Sequence, residues 1–131
     1  MMDRRNEGQS KAMGRPPQKL STHQQAVLIQ VLLTFPDERV GVCCASAGDT
    51  REYADGFLII FKAIDWSVDD LGVMDGLPAV ESGLAVLVQD HELPPSAAAF
   101  RDALRIYRIE AEIVTRQAGI CGSRNFVLAV S

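Results

Sequence analysis

Two short segments, residues 39–45 (RVGVCCA) and 83–88 (GLAVLV), are apolar almost without a break. A strand with one wet face alternates polar and apolar residues, so an unbroken run marks a strand covered on both sides. Each run leads into a helix signal. After the first come Ser46-Ala47-Gly48-Asp49 and then Tyr53, Ala54, Phe57, Leu58, Phe61 and Ile64 at helical spacing. Asp49 and Glu52 have the spacing of a capping box. After the second run, Pro94 and Pro95 pre-set the backbone for a helix presenting Ala97, Phe100, Ala103, Leu104 and Tyr107 to a core. Doubly covered strands that feed helices imply crossover connections. They predict a mainly parallel sheet, the two runs side by side in its middle, with helices on both faces.

The rest of the chain fits around these units. Ser21 or Thr22, each followed three residues later by Gln24 or Gln25, opens a first helix that stops before Pro36. Its middle, residues 26–33 (AVLIQVLL), is apolar around most of its circumference. Residues 66–68 read as a short strand, and residues 69–82 carry turn chemistry in Asp69, Asp70, Asp75-Gly76 and Pro78. Strands at 110–115 and 125–130 flank a turn at 116–123 that contains Gly119, Cys121 and Gly122. The prediction is an α/β fold: a small Rossmann-like three-layer domain with a mainly parallel sheet of about five strands. The competing fold is a ferredoxin-like α+β sandwich, which uses the same βαββαβ string. A ferredoxin-like hairpin needs a short turn, and residues 69–82 are long for one.

The chain of 131 residues is the length of one domain. Residues 1–19 hold Arg4, Arg5, Lys11, Arg15 and Lys19 against Asp3 and Glu7, a balance of +3. They show no periodicity and read as a disordered polar tail. The single domain is then residues 20–131, which carries a balance of −7. An acidic body argues against nucleic acid as a partner. Only 6% of residues are aromatic, so a core of Leu, Ile, Val and Ala is expected. Three cysteines, Cys43, Cys44 and Cys121, with no CxxC spacing, suit a reducing compartment and not a disulfide framework. No apolar run is long enough to span a bilayer, and the charged start is not a signal peptide. The expected location is cytoplasmic, or peripheral to a membrane through a partner.

The succession STHQQAVLIQVLL, ERVGVCCAS, GDTREYADGFLIIFKAIDWSV, GLAVLVQD and FVLAVS, with a Pro-started, Ala-rich helix before the last, resembles a bacterial α/β domain. That domain is often found C-terminal to transmembrane helices and sometimes alone. The likeness covers residues 20–131. It implies the fold and carries over no activity and no catalytic residue. This chain has a polar head where the membrane-linked members would have their spans.

Ligands of open α/β sheets bind beyond the carboxyl ends of the strands. The ligand-binding candidates are therefore Ser46, Gly48, Asp49 and Thr50 after the first buried strand, and Asp90 and His91 after the second. Asp49 and Glu52 occupy the helix start that would otherwise suit a phosphate, and no GxGxxG or GxxxxGK[ST] is present. A metal would need Asp49 to converge on Asp90, His91 and Glu92. No metal, cofactor or catalytic residue is assigned. Arg101, Arg105 and Arg108 read as the water face of their helix.

Two functions follow. The first is a non-catalytic protein-interaction or assembly domain, with Val27, Leu28, Val31 and Leu32 of the first helix as a contact surface for a partner or a second copy. The second is a small ligand-binding or enzymatic domain, which requires the loops at 46–50 and 89–92 to meet.

Overall fold

A computed structural model describes residues 19–131; the expected disordered tail lies, apart from Lys19, outside the described residues. The elements are α1 (Thr22–Leu32), β1 (Arg39–Cys44), α2 (Asp49–Ala63), β2 (Ser67–Val73), β3 (Leu84–Leu87), α3 (Pro95–Ile106), β4 (Glu112–Val114), α4 (Ala118–Cys121) and β5 (Phe126–Val130). They form an α/β fold with one five-stranded sheet in the order β2-β1-β5-β3-β4. The β1–β2, β1–β5 and β3–β4 pairs are parallel, and β3–β5 is antiparallel. Both apolar runs are interior strands covered on both faces, as expected. They are not neighbours, because β5 lies between them and runs against β3.

That reversal decides the layers. Crossovers between parallel strands are right-handed with few exceptions. The β1–α2–β2 unit steps toward one edge, and the β3–α3–β4 unit steps toward the other. In an all-parallel sheet, opposite steps of one hand would put α2 and α3 on opposite faces. Here the second unit is turned end for end, so the same hand puts both helices on one face. The burial pattern agrees. Val40, Val42, Cys44, Leu84, Val86, Val88, Phe126, Leu128 and Val130 share one core with residues of α1, α2 and α3. The opposite face, with Cys43, Ala85, Leu87, Val127 and Ala129, is covered by Cys121 and Ile120 of α4 and by Met74, Leu77 and Val80. The expectation of helices on both faces is met unevenly: the three longer helices share one side, and only the four-residue α4 lies on the other.

The main core is more aromatic than composition suggested. Phe57, Phe61, Phe100 and Phe126 are fully buried. Phe61 stacks on Trp66, with ring centroids 5.5 Å apart, and Phe100 stacks on Phe126 at 5.9 Å. Trp66 Nε1 donates to the Phe35 carbonyl at 2.8 Å, which ties the entry of β2 to the end of α1. The sequence holds few aromatic residues and concentrates them at one place.

Local signals fared unevenly. Ser21 caps α1 through a reciprocal box with Gln24, as read. The α2 start differs: Gly48 is the N-cap at φ 79°, with no side-chain cap, and Asp49 and Glu52 sit in the first turn facing the positive helix end. The strand expected at 66–68 runs to Val73, past two aspartates, because β1 offers it a parallel partner. The turn expected at 116–123 contains α4. Both sheet edges are blunt. β4 has three residues, and the β1–β2 register shifts at Val42/Cys43 beside Gly72. Such irregularities discourage a foreign strand from pairing there. Among the described residues, no helix is long and apolar enough to cross a membrane.

Candidate functional site

The reversal of β3 also separates the two candidate loops. Cys44 pairs with Val130, and Val130 pairs with Leu84, the first residue of β3. The carboxyl end of β1 therefore lies beside the amino end of β3. Ser46, Gly48, Asp49 and Thr50 stand at one end of the sheet, and Asp90 and His91 at the other. Among the described residues, each of the two clefts lies at one end only, and Asp49 cannot meet His91. Among the described residues, no group of three or more His, Cys, Asp or Glu is placed to hold a metal ion.

The 46–50 end is simple. Ser46 Oγ donates to Thr50 Oγ1 at 3.3 Å, and both Gly48 and Asp49 are exposed. A hollow of about 330 Å³ beside it is lined by Ala45, Ser131 and the segment from Met74 to Val80, with Asp75 its one titratable side chain.

The other end holds a cleft of about 650 Å³. One wall is the segment leaving β3: Gln89, Asp90, Glu92, Leu93, Pro94 and Pro95. Pro94 is the N-cap of α3 and Pro95 its first residue, so this wall is stiff by construction. The α3 start is held further by Ser96, which is buried and donates its hydroxyl to Glu38. The second wall is Ser123, Arg124 and Asn125, the approach to β5.

Distant residues hold that second wall. Asn125 Oδ1 accepts from the Arg39 backbone N–H at 2.9 Å, and Ser123 Oγ accepts from Arg39 Nη1 at 2.8 Å. Arg124 Nε donates to Asp69 Oδ2 at 2.8 Å, which Arg39 also approaches at 3.9 Å. To reach Asp69 on β2, the Arg124 stem crosses β1 at Gly41. A Cβ there would stand 3.0 Å from Arg124 Cδ and 2.9 Å from Leu71 Cδ1. Gly41 is thus the gap through which the cation reaches its carboxylate.

The charges on the first wall are differently placed. His91 Nε2 lies 3.3 Å from Arg116 Nε and 3.2 Å from Nη2. Arginine can only donate, so Nε2 accepts and the ring proton sits on Nδ1. Asp90 and Glu92 are exposed and have no hydrogen-bond or ion-pair partner among the described residues.

Nucleophilic chemistry finds little here. Ser96 has a carboxylate partner but is 1% exposed and does not line the cleft. Burial pushes the Cys43 thiol up to about 11, with the neighbouring Cys44 and Cys121 adding to it. Burial also raises Cys121, whose Sγ donates to the Leu87 carbonyl at 3.3 Å. Cys121 was expected in a glycine-flanked turn; it ends α4 and is buried. The arrangement can hold a ligand through carboxylates, amides and a hydroxyl, without an evident route to activating one.

The expected contact surface on α1 is largely consumed by the core. Leu28 and Leu32 are fully buried, and Val27 and Val31 are half-buried. On α3, Arg101 and Arg105 pair with Asp102 and Glu110 at the surface, as read. Sequence reasoning missed Gly41, Asp69, Arg124 and Asn125, which meet only through the strand order. A glycine inside a buried strand was the available signal, since it often marks close approach by another group. Comparison of the chain with protein-family models, with curated proteins and with solved structures returned no match.

Proposed function

We propose that the chain is a non-catalytic protein-interaction domain whose contact site is the cleft beyond the carboxyl end of β3, not the α1 surface. The observation that carries this reading is the wall from Asp90 to Pro95. It combines two carboxylates that have no partner among the described residues with a rigid apolar shelf, facing polar groups fixed by Arg39 and Asp69. A binding surface gains affinity when it is already ordered, because little conformational entropy is lost on contact. In this reading the protein is a variant of the bacterial α/β domain that its sequence resembles. Its sheet departs from the Rossmann-like order through the turned β3–α3–β4 unit. Its three free cysteines suit the cytoplasm. The acidic body makes nucleic acid a poor partner.

Amide NMR spectra of the ¹⁵N-labelled full chain test the reading. Short peptides should move resonances of residues 89–93 and 123–125. Nucleotides or divalent metals that instead move residues 46–50 would replace this reading with the ligand-binding one.

A further inference from the structure

We infer that the cleft takes an extended basic peptide segment, the side chain of a lysine or arginine lying along the shelf with its cation between Asp90 and Glu92. This rests on the cleft being the contact site. Three features of the walls select that occupant. Asp90 and Glu92 lack a partner among the described residues, because the nearby Arg116 is spent on His91 and bonds neither carboxylate. The two cations behind the opposite wall are turned toward Asp69 and not toward them: Arg124 Nε is held on its carboxylate at 2.8 Å, and Arg39, bonded to Ser123, lies 3.9 Å from it. Leu93, Pro94 and Pro95 offer an apolar shelf suited to the methylene stem of a long basic side chain.

The remaining lining groups suit a peptide backbone. Asn125 uses its Oδ1 on the Arg39 N–H, which turns its amide nitrogen outward as a donor. Ser123 accepts from Arg39 and keeps its own hydroxyl proton to give. Gln89 adds a second side-chain amide. Donors of this kind serve the carbonyls of an extended chain, which would lie along the cleft and not pair with a sheet edge. Asp69 is a positioning residue: it touches no ligand and draws the cations of that wall, Arg124 at 2.8 Å and Arg39 at 3.9 Å, away from the cleft's carboxylates.

The test is an NMR titration of the full-length, ¹⁵N-labelled chain. The probes are a capped pentapeptide of two lysines with glycine and alanine, and the same peptide with two glutamates. The lysine peptide should move the amides of residues 89–93 and 123–125. Its affinity should fall severalfold between about 20 mM and about 300 mM salt, as exposed charge pairs are screened. Asp90→Asn with Glu92→Gln should abolish the shifts while leaving the rest of the spectrum in place. Asp69→Asn should weaken binding severalfold without entering the contact. Equal shifts from both peptides, or shifts that survive the double substitution, would overturn the basic-segment inference and leave the cleft as contact site. Absence of shifts from either peptide at millimolar concentration would overturn both.

Discussion

Leu28→Ala distinguishes a core helix from a docking helix. Leu28 has no exposed surface and packs within the main core, where α1 meets α2 and α3. Truncating a buried leucine removes its transfer free energy and leaves a cavity, together about 2–5 kcal/mol. A unit of about 110 ordered residues unfolds with an entropy of roughly 0.23 kcal/mol per kelvin, so 3 kcal/mol lowers Tm by about 13 °C. Val27, half-buried on the same helix, should cost under about 1 kcal/mol when cut to alanine. Differential scanning calorimetry gives both numbers, and sedimentation velocity on the same samples gives the mass. A large Tm loss for Leu28→Ala with unchanged mass is the expected result. A shift of under about 3 °C together with a drop in mass would refute it, because Leu28 would then be serving an interface.

Three further outcomes follow from the same contacts. Gly41→Ala should cost about 1–2 kcal/mol by crowding Leu71 and Arg124. Its cost should shrink in an Arg124→Ala background, as a double-mutant cycle in urea would show. Arg51 hydrogen-bonds Asp70 and holds its carboxyl below the usual range. That pair's contribution is present at neutral pH and fades as pH falls through the carboxylate range. It is about 0.5–1 kcal/mol because both groups are partly exposed. Asp70→Asn should remove it and flatten the acid limb of a stability–pH curve. For Cys43 the sign is opposite. The folded thiol is raised to about 11, so its contribution is intact below the unfolded value near 9. It is lost as pH climbs from there to 11, with a slope of about 1.4 kcal/mol per pH unit. Cys43→Ala should lose that slope in chemical denaturation between pH 8 and about 11.

Much of this fold was readable in the chain because its signals are local. The uninterrupted runs around Val42 and Val86 announced interior strands, and the periodic stripe from Tyr53 to Ile64 announced α2. Strand direction was not readable. Both βαβ units look alike in sequence whether they run together or head to tail, since each satisfies the same local pattern. The choice is made by β5, a short strand that pairs with β1 on one side and opposes β3 on the other. The candidate site inherits that ambiguity. Asp90 was legible as a residue after a strand, whereas its distance from Asp49 depended on the reversal. The Arg124–Asp69 contact was illegible for the same reason. It joins residues 55 apart across a strand that neither belongs to. The α1 run was ambiguous because an all-round apolar helix is equally suited to a core and to an interface.

The separation of the two sheet ends depends on β3 running against β5, and ¹H NOE contacts between their Hα atoms read that directly. Ser131 donates its backbone N–H to Gly83 at 2.8 Å, which makes 83/131 a hydrogen-bonded pair. Alternation then makes Leu84–Val130 and Val86–Leu128 the close, non-bonded pairs, whose Cα atoms stand about 4.5 Å apart. Strong Hα–Hα contacts at those two pairs are the predicted result. Their absence, with sequential cross-strand contacts linking β3 directly to β1, would contradict the sheet order and return residues 46–50 and 89–92 to one end.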